Sequence, residues 1–250
     1  DATPEQVQRL FKRSRIIGRR FQIVHVRFGR EVIEVSTFRA FQRDDQALDR
    51  DQHSAHEETG LVLRDNTWGS IEEDALRRDF TINALYYNIA DFALYDFVGS
   101  RRAIERGEIS LIGDPEQRYR EDPVRMLRAA RFAAKLGFRL DQKASRKIPE
   151  LAELLLQVPP ARLFDEVLKL FLSGHARASM QQLRDLGLFH FLFPETDRSL
   201  KGPKGKVWEK LIFAAMDNTD RRLAQDKPVT PAFIFAVLLW PVTVARLEKL

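Results

Sequence analysis

The sequence predicts an α+β protein in which a small β-containing part is followed by a long helical array. Two β-rich runs near the start, residues 21–28 and 31–39, favour strands, and later only short pieces at 94–98 and 109–112 do so. Beyond Trp68 the apolar residues recur with helical spacing. A length of 250 residues is enough for more than one core. We therefore expect a β-containing region and a separate helical region.

Composition excludes several classes of protein. Hydrophobic residues make up 44% of the chain and charged residues 31%, which is typical of a folded globular protein. The longest apolar run, residues 233–240, is far shorter than the roughly 20 residues that span a bilayer, and the first residues lack a signal-peptide pattern. Without cysteine the chain has no disulfide, thiolate zinc site or catalytic thiol. We therefore expect no membrane partner and a cytoplasmic location.

Local signals define the first elements of the chain. Thr3-Pro4-Glu5-Gln6 is a capping box with proline at the first helical position, which predicts a helix over residues 4–13. The two β-rich runs flank Gly29-Arg30, a pair that suits a two-residue turn and therefore predicts a β-hairpin. Residues 42–60 are polar and without period, so we expect a surface loop there.

Helical signals dominate from residue 70 onward. Ser70-Ile71-Glu72-Glu73 is a second capping box and predicts a helix that reaches about residue 88. Gly137, Gly174 and Gly187 stand where helices should end, at positions that often need a positive φ. Further helices are expected over residues 115–136, 149–156, 160–172, 176–186, 207–217 and 231–240.

Asp79 and Asn83 form the first candidate pair for chemistry. They lie four residues apart in the helix expected to reach residue 88, and therefore share one helix face just after Arg77 and Arg78. A carboxylate and an amide on one face can hold a ribose or a metal-phosphate group, but they can equally hydrogen-bond to each other on a surface. Helix geometry alone leaves these alternatives open.

Asp122 and Arg125 form a second candidate pair, in the helix expected over residues 115–136. A carboxylate acceptor and a forked guanidinium donor can read the hydrogen-bonding edge of a base. The alternative is an ion pair within the helix, worth roughly a few tenths of a kcal/mol. Small apolar residues recur on the opposite side of this helix and predict close packing: Met126, Ala129, Ala130, Ala133 and Leu136.

Other polar residues are harder to interpret from spacing. Glu34 lies among apolar residues of the second β run, so it is either a solvent-facing residue or a metal ligand at a sheet edge. Arg162 and Glu166 are spaced for an i,i+4 ion pair that would support the helix over residues 160–172. The histidines show no spacing that suggests a zinc site: His25, His53, His56, His175 and His190.

The distribution of basic residues suggests a polyanionic partner. The net charge is +5 and the pI is about 9.5, which favours such a partner without naming it. The longest basic cluster comprises Arg118, Arg120, Arg125, Arg128, Arg131, Lys135 and Arg139. It is long enough to suggest phosphate contacts, although such a cluster can also be a solvated face.

Three stretches in order, residues 77–83, 121–125 and 162–166, resemble motifs of the class of nucleotidyltransferases that contains bacterial poly(A) polymerases and CCA-adding enzymes. The resemblance extends over residues 1–193. Residues 16–26 resemble the signature that separates poly(A) polymerases from CCA-adding enzymes, and residues 120–138 also resemble the polymerase version.

The resemblance implies a truncated nucleotidyltransferase head, a β-hairpin plus helices, followed by an all-α neck and body. Residues 1–100 would be the C-terminal part of the head, 101–172 a neck that binds nucleotide and RNA, and 173–250 an incomplete body. The family carries a Gly-Ser or Gly-Gly turn and an Asp-x-Asp pair just before the segment that matches residues 1–7. Neither is present here, so this chain alone is expected to lack the main metal ligands and to be inactive.

The resemblance also implies roles for individual residues. Asp79 would be a catalytic carboxylate, and Glu34 would supplement the metal ligands. The nucleotide-binding residues would be Arg78 and Asn83 beside sugar and phosphates, and Asp122 and Arg125 beside the base. RNA would be bound by Arg118, Arg120, Arg128 and Lys135. Arg162 and Glu166 would brace the nucleotide-binding helix.

The implied reaction is the addition of adenylates from ATP to RNA 3′ ends. An RNA 3′ hydroxyl would attack the α-phosphate of ATP, with release of pyrophosphate and help from two Mg²⁺ ions. RNA-decay or RNA-remodelling proteins are expected as further partners. Two other functions stay open from the sequence: a CCA-adding tRNA nucleotidyltransferase, and a noncatalytic RNA-binding helical module.

Overall fold

The computed structural model describes residues 2–18, 22–40 and 68–248. The chain divides into two compact units. The first unit comprises Asp1–Arg78 and Ala84–Val98, and the second comprises Asp79–Asn83 and Gly99–Leu250. The expected loop at 42–60 and residues 19–21 of the signature-like stretch lie outside the described residues. The expected division into neck and body stays a prediction.

Helix α1, Pro4–Leu10, opens the first unit. Its capping box is present as expected, because the Gln6 amide donates to the Thr3 hydroxyl (3.4 Å) and the Thr3 amide donates to the Gln6 side chain (2.9 Å). The helix ends three residues earlier than expected, because the chain enters a strand at Ser14.

A three-stranded antiparallel sheet follows, with β1 (Ser14–Ile17), β2 (Ile23–Phe28) and β3 (Glu31–Val35) in that spatial order. The expected two-residue turn is confirmed, since Phe28 pairs with Glu31 and Gly29 has a φ of 60°. The predicted hairpin is formed by β2 and β3, and β1 adds a third strand that was not predicted. Four residues are too few to show a period, so β1 gave no sequence signal.

Helix α2, Ile71–Arg77, starts at the predicted Ser70 capping box. The prediction that it continues to residue 88 is wrong, because Arg78 has an extended backbone with a ψ of 164°. The first unit resumes with an antiparallel hairpin of β4 (Leu85–Asn88) and β5 (Ala93–Asp96).

Helices build the second unit. They are α3 (Ser100–Glu105), α4 (Pro115–Glu121), α5 (Val124–Leu136), α6 (Gln142–Leu151), α7 (Pro160–Phe171), α8 (Ala176–Asp185), α9 (Phe189–Leu192), α10 (Pro194–Leu200), α11 (Gly205–Leu223) and α12 (Pro231–Leu247). Two 3-10 helices, Thr81–Asn83 and Ala152–Gln157, and a parallel pair of short strands, β6 (Glu108–Ile109) and β7 (Arg139–Leu140), complete it. Helices α3, α9 and α10 and strand β7 were not predicted, whereas β6 overlaps the strand piece expected over residues 109–112. No helix among the described residues is long and apolar enough to cross a membrane.

The helix expected over residues 115–136 is interrupted. It forms two helices, α4 and α5, because Pro123 lacks an amide hydrogen and forces the preceding Asp122 into an extended conformation, with φ −148° and ψ 96°. Helix α5 lies in the core, and four of its five predicted small or apolar residues are buried: Met126, Ala129, Ala130 and Ala133. The fifth, Leu136, is 44% exposed because α5 ends there at Gly137.

Candidate functional site

Asp79 in the second unit is the centre of a hydrogen-bonded group of polar side chains. Its Oδ2 accepts from the Arg128 guanidinium, at 2.6 Å from Nε and 2.5 Å from Nη2. Its Oδ1 accepts from the Asn83 amide at 3.1 Å and from the Phe80 backbone N–H at 2.8 Å. The side chain of Asp79 is 13% exposed and that of Arg128 is 31% exposed, so the group reaches solvent on the arginine side.

Asp79 and Asn83 meet for a reason other than the expected one. The helix-face prediction is wrong, because Asp79–Asn83 pairs with a neighbouring segment: the Thr81 amide donates to the Ser110 carbonyl (2.9 Å), and the Ile112 amide to the Asp79 carbonyl (3.0 Å). The buried Phe80 ring holds this turn against α5, in edge contact with Phe132 at 5.6 Å between centroids. Long-range backbone pairing and burial therefore replace helical hydrogen bonds here.

Asp122 follows α4 and does not pair with the Arg125 side chain, so the alternative of an ion pair within one helix is wrong, and their predicted role beside a base stays a prediction. Both carboxylate oxygens of Asp122 accept from Nη2 of Arg162, at 3.0 and 3.2 Å, and Oδ1 also accepts from the Val124 amide at 3.3 Å. The Asp122 and Arg162 side chains are 28% and 53% exposed. This ion pair is therefore open to solvent and to exchange with another hydrogen-bonding partner.

Arg125 is held by residues of α4. Its Nη1 donates to Glu121 Oε2 at 2.8 Å and to the Arg118 carbonyl at 2.7 Å, and Glu121 Oε2 also accepts from Arg118 Nη1 at 2.9 Å. Burial and the neighbouring Arg125 charge lower the pKa of Arg118. Glu121 was not predicted as a site residue, although its spacing of three from Arg118 and four from Arg125 could have identified it.

Glu166 also has a different partner from the predicted one. The i,i+4 pair with Arg162 is absent, since the buried Glu166 lies 3.4 Å from Arg131 Nε and accepts from Lys169 Nζ at 2.7 Å. Burial lowers the pKa of Arg131, and the Glu166 charge opposes that shift. Arg162 and Glu166 therefore reach from α7 to two separate points, Asp122 before α5 and Arg131 within it.

The predicted basic face is largely neutralised. Arg118 is not on an exposed face, because its side chain is 10% exposed and bonded to Glu121. Arg128 is bonded to Asp79, and Arg120 to Glu116 at 2.9 Å. Lys135 is exposed and forms no ion pair with any described residue. Whether these four residues contact RNA stays a prediction.

In the first unit, Arg78 belongs to a group around Asp74. The Asp74 carboxylate is 2% exposed and accepts from Arg77, Arg78 (3.0 Å), Tyr86 (2.8 Å) and the Arg39 amide (3.2 Å). Burial would raise the pKa of Asp74, but the hydrogen bonds from Tyr86 and Arg77 lower it. Burial and the Asp74 hydrogen bond raise the pKa of Tyr86 to about 12. Asp74 was not predicted, although Arg77 and Arg78 lie three and four residues after it.

The described carboxylates do not fit a two-magnesium site. Glu34 on β3 is 66% exposed and has His25 as its neighbour, at 3.2 Å. Asp74 and Asp79 are each surrounded by hydrogen-bond donors. Across the described ranges, no group of three His, Cys, Asp or Glu residues is placed to hold a metal ion. The solvent-facing alternative for Glu34 agrees with its exposure.

Two family models match the sequence. One, described as the poly A polymerase head domain, matches residues 1–110. The other, described as a probable RNA and SrmB-binding site of polymerase A, matches residues 137–200. The described nucleotide-site candidates Asp79 and Asn83 lie within the first match, and Arg162 and Glu166 lie within the second.

Similarity to known proteins extends over the whole chain. Poly(A) polymerase I of Salmonella typhi is 48% identical over all 250 residues, which cover 53% of that protein. The CCA-adding enzyme of Bacillus subtilis strain 168 is 35% identical over 192 residues, which cover 77% of this chain and 45% of that enzyme. The chain thus spans about half the length of the curated relatives it matches.

The fold has counterparts among solved structures. The CCA-adding enzyme of Bacillus stearothermophilus, solved in complex with CTP, matches 94% of this chain and 70% of its own with a TM-score of 0.62 and 24% identity. At that identity the likeness concerns the fold alone. The two family models and the 48% identity over all 250 residues instead show that the chain is similar to bacterial poly(A) polymerases, with CCA-adding enzymes as more distant relatives.

Proposed function

We propose that the protein containing this sequence adds adenylates from ATP to RNA 3′ ends. The observation that carries the proposal is the 48% identity to poly(A) polymerase I across all 250 residues. Identity to a CCA-adding enzyme is lower, at 35%, and covers 77% of the chain. The proposed setting is the cytoplasm, where ATP and RNA 3′ ends are both available.

In this proposal, Asp122 and Arg125 contact the base of the incoming nucleotide. Asp122 offers a carboxylate that is 28% exposed and whose arginine partner is itself half exposed. Arg125 is held in place by Glu121 and the Arg118 carbonyl. An exocyclic amino group of adenine can donate to the carboxylate, and a guanidinium N–H can donate to a ring nitrogen. Arg162 and Glu166 brace α5, which supports this arrangement.

In this proposal, Asp79 also orients two hydrogen-bond donors that contact the sugar and phosphates of ATP. It holds the Arg128 guanidinium through a hydrogen bond from Nε and an ion-pair contact with Nη2, and it holds the Asn83 amide through one hydrogen bond. A guanidinium that is pre-oriented by a carboxylate loses less freedom when it binds a phosphate. Arg78, in the first unit, is proposed as a further nucleotide contact. Catalysis by pre-oriented donors needs no rearrangement when charge develops on the phosphate.

Magnesium does not enter these roles. Nucleotidyl transfer commonly uses two Mg²⁺ ions, but the described carboxylates do not form such a site, and Glu34, whose neighbour is His25, belongs to no group of three possible ligands among the described residues. The roles proposed for Asp79, Asp122 and Arg125 are therefore binding and orientation. RNA-decay or RNA-remodelling partners are proposed as well, supported by the description of the model that matches residues 137–200.

The test is incorporation of each of the four nucleoside triphosphates into an RNA primer by the gene product that contains this sequence. Repeated addition of adenylate alone is expected. Addition of cytidylate followed by adenylate, restricted to a tRNA lacking its terminal nucleotides, would support the CCA-adding alternative. Binding of RNA without incorporation of any nucleotide, and without ATP binding, would support the noncatalytic module and overturn the proposal.

A further inference from the structure

Exposed basic residues accumulate where three helices of the second unit meet a short parallel strand pair. Residues 100–110 and 135–147 contain eight Lys or Arg and three Asp or Glu. Their excess of five positive charges equals the net formal charge of the whole chain. The two segments are therefore strongly basic, although they are not the only basic part of the chain: residues 9–30 contain eight Lys or Arg and no Asp or Glu.

The fold brings the two segments side by side. Strands β6 and β7 pair in parallel, with the Arg139 amide donating to the Gly107 carbonyl and the Asp141 amide to the Ile109 carbonyl, both at 2.9 Å. Helix α3 ends at Glu105 just before β6, and α5 ends just before β7. Helix α6 begins directly after β7, capped by Asp141. The ends of α3 and α5 and the start of α6 are thus adjacent.

Five exposed cations at this place define the junction patch: Arg102, Arg106, Lys135, Arg139 and Lys143. Arg139 is 74% exposed, and its one acidic neighbour among the described residues, Glu108, is 3.7 Å away. The other four form no ion pair with a residue in the described ranges. In contrast, Arg118, Arg125 and Arg128 of α4 and α5 are bound to carboxylates and are partly or largely buried.

We propose that the junction patch binds the phosphodiester backbone of the RNA substrate. RNA as the ligand rests on the proposed function. Four of the five patch cations form no ion pair with a described residue, and Arg139 has only the more distant Glu108 at 3.7 Å, so these cations can exchange their counterions for phosphates. Cations bound closely to carboxylates must first break those bonds. Three of the five are arginines, whose fork fits phosphate oxygens. Arg102 and Arg106 lie one helical turn apart, about 6 Å along the axis, and can contact phosphates together.

The test compares salt-dependent binding of single-stranded RNA by paired variants of the 250-residue chain. Arg102→Gln/Arg106→Gln and Arg139→Gln/Lys143→Gln each remove two patch cations. The slope of log affinity against log salt should decrease in magnitude by about 0.7 for each phosphate that is no longer neutralised, and the affinity near 0.1 M salt should fall about fivefold for each such phosphate. The matched control is Lys206→Gln/Lys210→Gln, which removes two exposed cations of α11 that have the same i,i+4 spacing.

Three results would overturn the proposal. The first is an unchanged slope in both patch variants, with folding verified by their thermal melting. The second is an equal decrease in the α11 control, which would indicate a general effect of net charge. The third is unchanged RNA binding together with abolished binding of polyglutamate, which would assign the patch to an acidic protein segment. Adenylate addition is measured separately from RNA binding. Salt-dependent RNA binding at the junction patch without adenylate addition would contradict the proposed function but would not contradict this proposal.

Discussion

Asp74 in the first unit and Asp122 in the second are both carboxylates bound by arginine, yet their surroundings differ. Asp74 is 2% exposed and accepts from two arginines, a tyrosine and a backbone amide. Asp122 is 28% exposed and accepts from one arginine, which is 53% exposed, and one amide. A ligand could replace Arg162 without leaving a buried charge unpaired. The number of donors and the burial thus separate a carboxylate that holds the fold from one that can bind a ligand.

The largest effect on stability is expected at Asp74. Asp74→Asn should lower the free energy of unfolding by about 3 kcal/mol, because it breaks a buried ion pair. This value is at the lower end of the range for such pairs, because the side chains of the two arginines are about one-third exposed. Urea unfolding of the 250-residue chain measures it. Glu105→Gln is the control: it breaks an exposed pair with Arg101 and should cost less than about 0.5 kcal/mol. Equal destabilisation by the two variants would remove the distinction between buried and exposed carboxylates.

Asp79 should matter for turnover more than for RNA affinity. In the gene product that contains this sequence, Asp79→Asn is expected to lower kcat about 10²-fold, because Arg128 and Asn83 lose the charge that orients them. Asp197→Asn is the control, since Asp197 is 14% exposed and is likewise held by cationic partners, Lys201 and His190. If folded Asp79→Asn protein has an unchanged kcat, the Asp79 group has a structural role and no role in turnover.

Arg125 should affect nucleotide choice. Arg125→Ala is expected to reduce the preference for ATP over CTP by about 1–3 kcal/mol, because a buried base would be left without its donor. The ratio of kcat/KM for the two triphosphates measures it. Arg146→Ala, which removes an exposed arginine of α6, should leave that ratio unchanged. If Arg125→Ala lowers stability and leaves the ratio intact, the residue only fastens α5 to α4.

The smallest effect is the acid dependence of stability that comes from Asp74. Its pKa in the folded chain is below the ordinary value of 3.8, so its contribution is complete above that value and is lost as the pH falls through the folded pKa. Between neutral pH and about pH 5 no change is expected from this group. Urea unfolding at decreasing pH should show the parent losing more stability than Asp74→Asn. Parallel curves would mean that Asp74 has an ordinary pKa.

The sequence by itself determined the local starting points of the fold and the family. The capping boxes at Thr3 and Ser70 and the turn at Gly29 depend on residues within four positions of each other, and all three are present. Three ordered motifs were enough to indicate the similarity to bacterial poly(A) polymerases that the comparisons confirm. The interruption at Asp122-Pro123 was missed, although the sequence carries a signal for it, because proline restricts the residue before it.

Only the tertiary structure decided which charges meet. Arg162 pairs with Asp122, which is 40 residues away in the sequence, and Arg128 pairs with Asp79, which is 49 residues away. Helical spacing instead favoured partners three or four residues away, such as Arg162 with Glu166. The α2 helix ends at Arg77 because burial of Phe80 and backbone pairing of Thr81 with Ser110 outweigh helix propensity. Basic residues can be counted from sequence, but whether a cation is neutralised or exposed depends on distant carboxylates that only the folded chain brings near it.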